Sequence, residues 1–545
     1  MRGVWHEALP GSIRRPKSAD ERAEGKAGMV VPNIRAWMLA AVLLSAAAHG
    51  WPARAAMPEQ VPPPAPEPAV SLPGEGCVVG PHGTRHDGRP RTYAGMVPDR
   101  SVAALGVASC ATVSCHGGPL SGDRDVQSFA ATIVAGHDRH ARAYEVLHGE
   151  RSQRMARLLG IGPPHRAQQC LACHSVQDMA KERLPQEVLA DGVGCAACHG
   201  DATHWQQAHM LPEWKTLPRE SRAALGYRDL STPLERVQTC VRCHVGDAEH
   251  EVNHDLIAAG HPRLFFEFAA YQRLEPRHWS PQGKAEEAAD FTARSWSVGQ
   301  AATLAAVADL LATRAERAHD AAGSGNAHRW PEFAEFDCYS CHRTLGPETN
   351  AASREPALQR PRPGQPSWQP WQVAGARLLR AGMEGATPIA GTAATELERS
   401  AVDIQTLLDT QWAVADRERL SRVLLEARGL AVAARRSAAD INQRAPVAVD
   451  ASHATLDAII AAHPADWRTW DAAVQTYLAM EAGRQGGPAT IGGGRSGHQP
   501  AVAVSISASR RSLDDLRASL RFPPAADTPG PFDPRSFQQA RRGVP

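Results

Sequence analysis

The 545-residue sequence predicts a mainly α-helical fold with little regular sheet. Three observations predict it. Apolar residues recur with a helical rhythm over 142–159, 264–273 and 297–317, where Leu304, Val307 and Leu311 share one face. The rhythm returns late in the chain, with Leu407, Leu408 and Trp412 followed by Leu420, Val423 and Leu424, so 396–443 and 454–481 also read as helical. No run of alternating β-branched residues is long enough to build a sheet.

The chain opens on a polar stretch, residues 1–28, followed by an apolar run from Trp37 to Ala48. Arg35 flanks that run, and Ala53-Arg54-Ala55 has the small-x-small form of a cleavage site. Residues 1–55 therefore read as a secretory signal with a long lead, Met29 being an alternative start. The apolar run is too short to span a bilayer, for which about 20 residues are needed. Residues 56–100 are Pro-rich and read as a linker, 101–345 as the domain holding every motif, 346–393 as a second linker and 394–545 as a helical C-terminal region.

Composition narrows the function. Lys and Arg total 59 against 58 Asp and Glu, so the chain lacks the basic field of a nucleic-acid-binding protein. Cleavage after Ala55 removes eight basic and four acidic residues and leaves a mature balance of −3. Aromatic residues make up only 5% of the chain, thin for a large core, whereas His and Cys are numerous at 24 and 11. The glycine-rich stretch Gly487–Gly494 has Gly493 where a phosphate loop needs Lys, which excludes a nucleotide site of that kind.

The cysteines carry the chemistry. Four times a histidine directly follows the second member of a Cys-x-x-Cys pair: Cys170/Cys173/His174, Cys195/Cys198/His199, Cys240/Cys243/His244 and Cys338/Cys341/His342. Chance would supply on the order of 0.01 copies of this c-type haem attachment pattern. Two thiols pin one edge of a porphyrin as thioethers, and the adjacent imidazole reaches the iron as proximal ligand. Cys110, Cys115 and His116 form a fifth site with four intervening residues instead of two. Cys77 fits no motif; pairing it with Cys110 in a disulfide is the structural alternative for that site. Five haem c groups are thus expected, with His116, His174, His199, His244 and His342 as proximal ligands. A zinc site or a redox dithiol would not require the histidine that follows each pair.

Each iron then seeks a sixth ligand, and ten further histidines crowd into residues 137–278. Asn253 to Leu264 is the most informative segment. Gly260 ends one helix and Pro262 suits the first turn of the next, so His261 projects at a sharp junction with His254 two turns earlier. Met96, Met179 and Met210 are alternative axial ligands.

At these residues the sequence resembles the cytochrome c-554 family, multihaem electron carriers related to the acceptor of hydroxylamine oxidoreductase in ammonia-oxidising bacteria. The resemblance spans roughly 101–345. It rests on Cys110 to His116, His140-Ala141-Arg142-Ala143-Tyr144, Cys170 to His174, Gly194 to Gly200, Asn253 to Leu264, and Glu335-Phe336-Asp337-Cys338. It implies a helical, haem-packed fold with most irons bound by two histidines, some members leaving one iron without a sixth ligand. Matched by position, it implies His140, His254 and His261 as distal ligands, with His165 and His209 completing the set and His148, His204 and His278 as substitutes. The chain departs from the tetrahaem pattern by the added site at Cys110 to His116 and by its C-terminal extension.

The resulting expectation is a periplasmic multihaem c-type cytochrome that passes electrons between redox partners of a respiratory chain. Ten ionised propionates and five ferric centres would take the mature chain to roughly −8, favouring partners with basic patches. The enzymatic alternative has one five-coordinate iron acting on nitric oxide or hydroxylamine. A third reading makes the C-terminal helices a tether to a larger electron-transfer complex, or a surface that docks a redox partner.

Overall fold

Prolines and glycines cut the first half of the chain into short helical pieces joined by 3-10 turns. The computed structural model describes residues 106–120, 125–177, 183–281, 285–322, 330–342, 366–386, 399–401, 403–408, 416–446, 469–484 and 513–520, with positions 536 and 539. All of these fall within one compact unit, Glu75–Pro545. The signal segment, the Pro-rich stretch, Cys77, Met96 and Met179 lie outside the described residues.

The short helices are α1 (Ala130–His137), α2 (Glu150–Leu159), α3 (Gln168–His174), α4 (Gln186–Ala190), α5 (Cys195–His199), α6 (Arg219–Ala224), α7 (Pro233–His244), α8 (His254–Ala259) and α9 (Phe268–Leu274). The 31-residue α10 (Phe291–Ala321) follows, then the single turn α11 (Cys338–Cys341), α12 (Pro370–Ala386), α13 (Arg417–Gln443) and α14 (Trp470–Arg484). Among the described residues there is no strand, and the one isolated β-bridge joins Phe336 to Trp368. The mainly helical expectation holds.

Local signals explain the boundaries. The helix expected over 142–159 divides at Gly149, whose extended backbone separates a 3-10 turn, Glu145–His148, from α2. The helix expected from residue 264 starts at Phe268, where the Glu267 carboxylate caps the backbone N–H groups of Ala269 and Ala270. Pro370, pre-set for the first helical turn, opens α12 inside the stretch read as a linker. Two glycines are conformationally required. Gly260 closes α8 at φ 121°, and Gly200 sits at φ 86° after the third motif, where an added Cβ would lie 2.0 Å from the Gly226 carbonyl oxygen.

The core is a long helix wrapped by others. One face of α10, with Leu304, Val307, Ala308, Leu311 and Ala315, packs on Leu420, Val423, Ala427, Leu430 and Ala434 of α13. Facing alanines let the two backbones approach closely, which accounts for a large core built with few aromatics. Nearer its start, α10 buries Trp296, Val298 and Ala301 against Val237, Phe266 and Phe268, joined by Ala479 and Ala482 of α14. A buried hydrogen bond from Gln300 Nε2 to Gln475 Oε1, 3.2 Å, links α10 to α14, and an exposed ion pair from Arg428 to Glu316, 2.7 Å, links α13 to α10. The C-terminal helices thus share one core with α7 and α9, which stand next to the motifs.

Candidate haem-binding sites

The attachment motifs sit where a single helical turn presents two thiols and an imidazole. The second motif ends α3, the third is the whole of α5, the fourth ends α7, and the fifth is α11 with His342 just beyond it. In the second, Cys170 and Cys173 stand one turn apart on α3, both half-buried, with His174 closing the helix. The ten described motif cysteines form no disulfide with one another, as thioether attachment to porphyrin vinyl groups requires.

The first motif reaches the same closure by another route. In the fifth motif the His342 N–H donates to the Cys338 carbonyl, 2.8 Å; in the first, the His116 N–H donates to the Cys110 carbonyl, 3.2 Å. Its two extra residues fold into a turn, Cys115 N–H donating to the Thr112 carbonyl at 2.9 Å. The turn brings Cys110, Cys115 and His116 together as the shorter spacing does elsewhere.

Each motif histidine faces a second histidine from a distant part of the chain. Ring centroids are 6.1 Å apart for His116 and His209, 6.5 Å for His174 and His261, 6.4 Å for His199 and His278, 6.0 Å for His244 and His140, and 6.1 Å for His342 and His254. An iron bound by two opposed imidazole nitrogens at about 2 Å each separates the ring centroids by roughly 6.3 Å. The five spacings fit that requirement. Imidazoles packed face to face with nothing between them approach more closely, as His148 and His165 do at 4.4 Å.

The facing rings are also turned the right way. Backbone carbonyls occupy Nδ1 of His116 (Gln127, 2.7 Å), His174 (Ala143, 2.7 Å), His261 (Pro262, 2.8 Å), His278 (Pro276, 3.1 Å) and His209 (Gln206). Such bonds fix the tautomer and leave the Nε2 lone pair for a metal. Burial pushes His174, His209 and His261 below the usual imidazole value and takes His244 to about 4, keeping them neutral as ligands must be. His209 is boxed by Trp205 at 5.4 Å and Trp214 at 6.5 Å. The indole N–H of Trp205, the ring packed against His209, is buried without a hydrogen-bond partner.

His140 differs, because its Nδ1 bonds the Asp138 carboxylate at 3.0 Å, and that hydrogen bond raises its pKa. A carboxylate partner makes an imidazole a stronger donor. Asp138→Asn is therefore expected to raise the reduction potential of a haem held by His244 and His140 most, with a smaller rise at the His199/His278 site, whose His278 and Cys198 also feel the Asp138 charge, in a spectroelectrochemical titration.

Of the five distal candidates, His140, His209, His254 and His261 stand opposite motif histidines. His165 instead lies against His148, and His278 takes the position facing His199. His165 lines a half-open cleft of about 290 Å³ with Tyr144, Arg166 and Arg183. Met210 is 63% exposed and faces solvent. The sequence cue for His278 is slight: a proline two residues earlier whose carbonyl orients the ring.

The family comparison covers part of the chain. Residues 110–200 match cytochrome c554 and c-prime. The resemblance expected from the motifs is found there, and it supports a c-type haem cytochrome. The match begins at Cys110, so the Cys110–His116 site lies inside the family-like segment. The fourth and fifth motifs lie outside the matched residues. No curated protein and no solved structure matches the chain.

Proposed function

We propose that this chain is an exported five-haem electron-transfer protein whose irons are each bound by two histidines. The observation that carries the reading is the set of five opposed histidine pairs spaced 6.0–6.5 Å apart, each containing one motif histidine. Haem c, when bound, supplies a reversible one-electron iron centre. The chain's part is to hold the thiols and imidazoles in place and to keep the sites adjacent. Cys170 and Cys173 would anchor the second haem in this scheme, as the other four cysteine pairs would anchor theirs.

Adjacency is supported by the attachment residues. Cys110 and Cys195 lie close enough to perturb each other's ionisation, joining the first and third sites. Cys198 lies within the field of Cys243, and Cys240 within that of Cys198, which joins the third and fourth. The second site meets the fourth through the turn that carries His140 and, at Ala143, the carbonyl holding His174. Arg263, two residues past His261, places its charge beside Cys338 of the fifth. Cys115 and Cys341, at the first and fifth sites, are exposed, so these two sites offer partners access.

The pairing favours electron transfer over chemistry at an open iron, because every motif histidine already faces a second imidazole. The partners we propose are redox proteins of a respiratory chain with basic patches, and the location is the periplasm. No helix among the described residues is long and apolar enough to cross a membrane. Intact mass spectrometry of the denatured protein tests the reading: we expect covalent mass for five haems, and a count of three or fewer would reject it.

A further inference from the structure

We propose that Arg314 is a positioning residue for the fifth site, a clamp that sets how His254 and His342 face each other; this rests on reading those two histidines as an axial pair. The pair is assembled from two segments far apart in sequence. Arg314, on α10 and 4% exposed, reaches both. Its Nε donates to Glu251 Oε1 at 2.6 Å, three residues before His254, and its Nη1 donates to Glu335 Oε1 at 2.5 Å, three residues before Cys338.

Neighbouring bonds make this a built arrangement. The second Glu335 oxygen accepts from Trp368 Nε1 at 2.7 Å, and the Glu335 carbonyl accepts from the Gln369 N–H at 2.7 Å. Glu332 Oε1 accepts from both the His254 N–H, 2.7 Å, and the Ala334 N–H, 3.0 Å, tying the distal ligand to the turn that leads into the fifth motif. Phe333 in that turn packs edge-on against His254 with centroids 5.6 Å apart. Arg317 also reaches Glu251, at 3.6 Å.

A buried charge cluster is a poor way to add stability, since apolar residues of similar volume usually serve as well; its use is to specify one geometry. The surroundings point the same way, because Arg314 is the one charged side chain among the buried residues of α10. The two rings it governs are nearly parallel, 17° apart, as are those of the first site at 19°, whereas those of the second, third and fourth sites are close to perpendicular.

The test compares haem-loaded wild type with Arg314→Met, Arg314→Lys and Glu335→Gln by haem mass count and electron paramagnetic resonance, with Leu430→Ala as a control for lost stability alone. We expect five haems throughout, a shift of one low-spin signal or its conversion to high spin in Arg314→Met, partial recovery in Arg314→Lys, and no change in Leu430→Ala. If Arg314→Met does not fold, Glu335→Gln, which keeps the volume and the Trp368 bond, is read in its place. Five haems with unchanged signals in the folded variants, or the same shift in Leu430→Ala, would overturn the clamp alone. Wild type with four haems and bare Cys338 and Cys341 would overturn both the clamp and the fifth site.

Discussion

His278→Ala leaves one iron of the five without its second imidazole: the ferric protein gains a high-spin signal, and the reduced protein binds carbon monoxide at that one centre. His165→Ala changes neither. The contrast follows from position, because His278 faces His199 at 6.4 Å whereas His165 stacks on His148. The effect is large, since losing one of two axial ligands changes the spin state outright, while the side chain removed at residue 165 only lines a cleft. Optical spectra with and without carbon monoxide read both variants. Unchanged spectra in His278→Ala, or a high-spin signal in His165→Ala, would reverse the assignment of the third site.

Truncation after residue 408 abolishes haem-loaded soluble protein and does not release a smaller working cytochrome. Leu420, Val423, Leu430 and Ile441 of α13 are buried, the first three against α10. Each large apolar side chain buried is worth about 1.5–3 kcal/mol, so removing α13 forfeits on the order of 10 kcal/mol, comparable to the whole stability of a typical domain. Because α10 also packs on Phe266 and Val237, beside the fourth motif, its exposure disturbs that site as well. Yield and haem-to-protein ratio of the truncated chain are the measurements; a soluble fragment with five haems would show that the C-terminal helices are dispensable.

The attachment residues are legible because the chemistry confines them to a few adjacent positions. Cys, Cys and His must share a turn, as Cys170, Cys173 and His174 do at the end of α3, and that constraint is written in local spacing. It holds even at Cys110 to His116 once the extra residues form their own turn. Distal ligands are under no such constraint. His261 is legible because Gly260 marks a junction, but His209, in the 3-10 turn Ala208–Met210, and His278, in a loop, approach His116 and His199 in a way decided by packing. His165 and His278 look alike in sequence; only the third dimension separates them. The same holds for α12, hidden behind an Arg/Pro-rich stretch. The long-range partnership of α10 with α13 is visible in sequence only as two helical rhythms, with nothing local to say that they face each other.

In the proposed protein five irons each lie between two histidines, in two geometries. Near-parallel rings at the first and fifth sites, 19° and 17°, and near-perpendicular rings at the second, third and fourth, 89°, 83° and 78°, give distinct low-spin magnetic signatures. Quantitative electron paramagnetic resonance of the fully oxidised protein measures them directly. Five bis-histidine irons give two rhombic and three strongly anisotropic low-spin signals with no high-spin component; a high-spin centre, or the signature of a methionine-bound iron, in the wild-type protein would overturn that assignment.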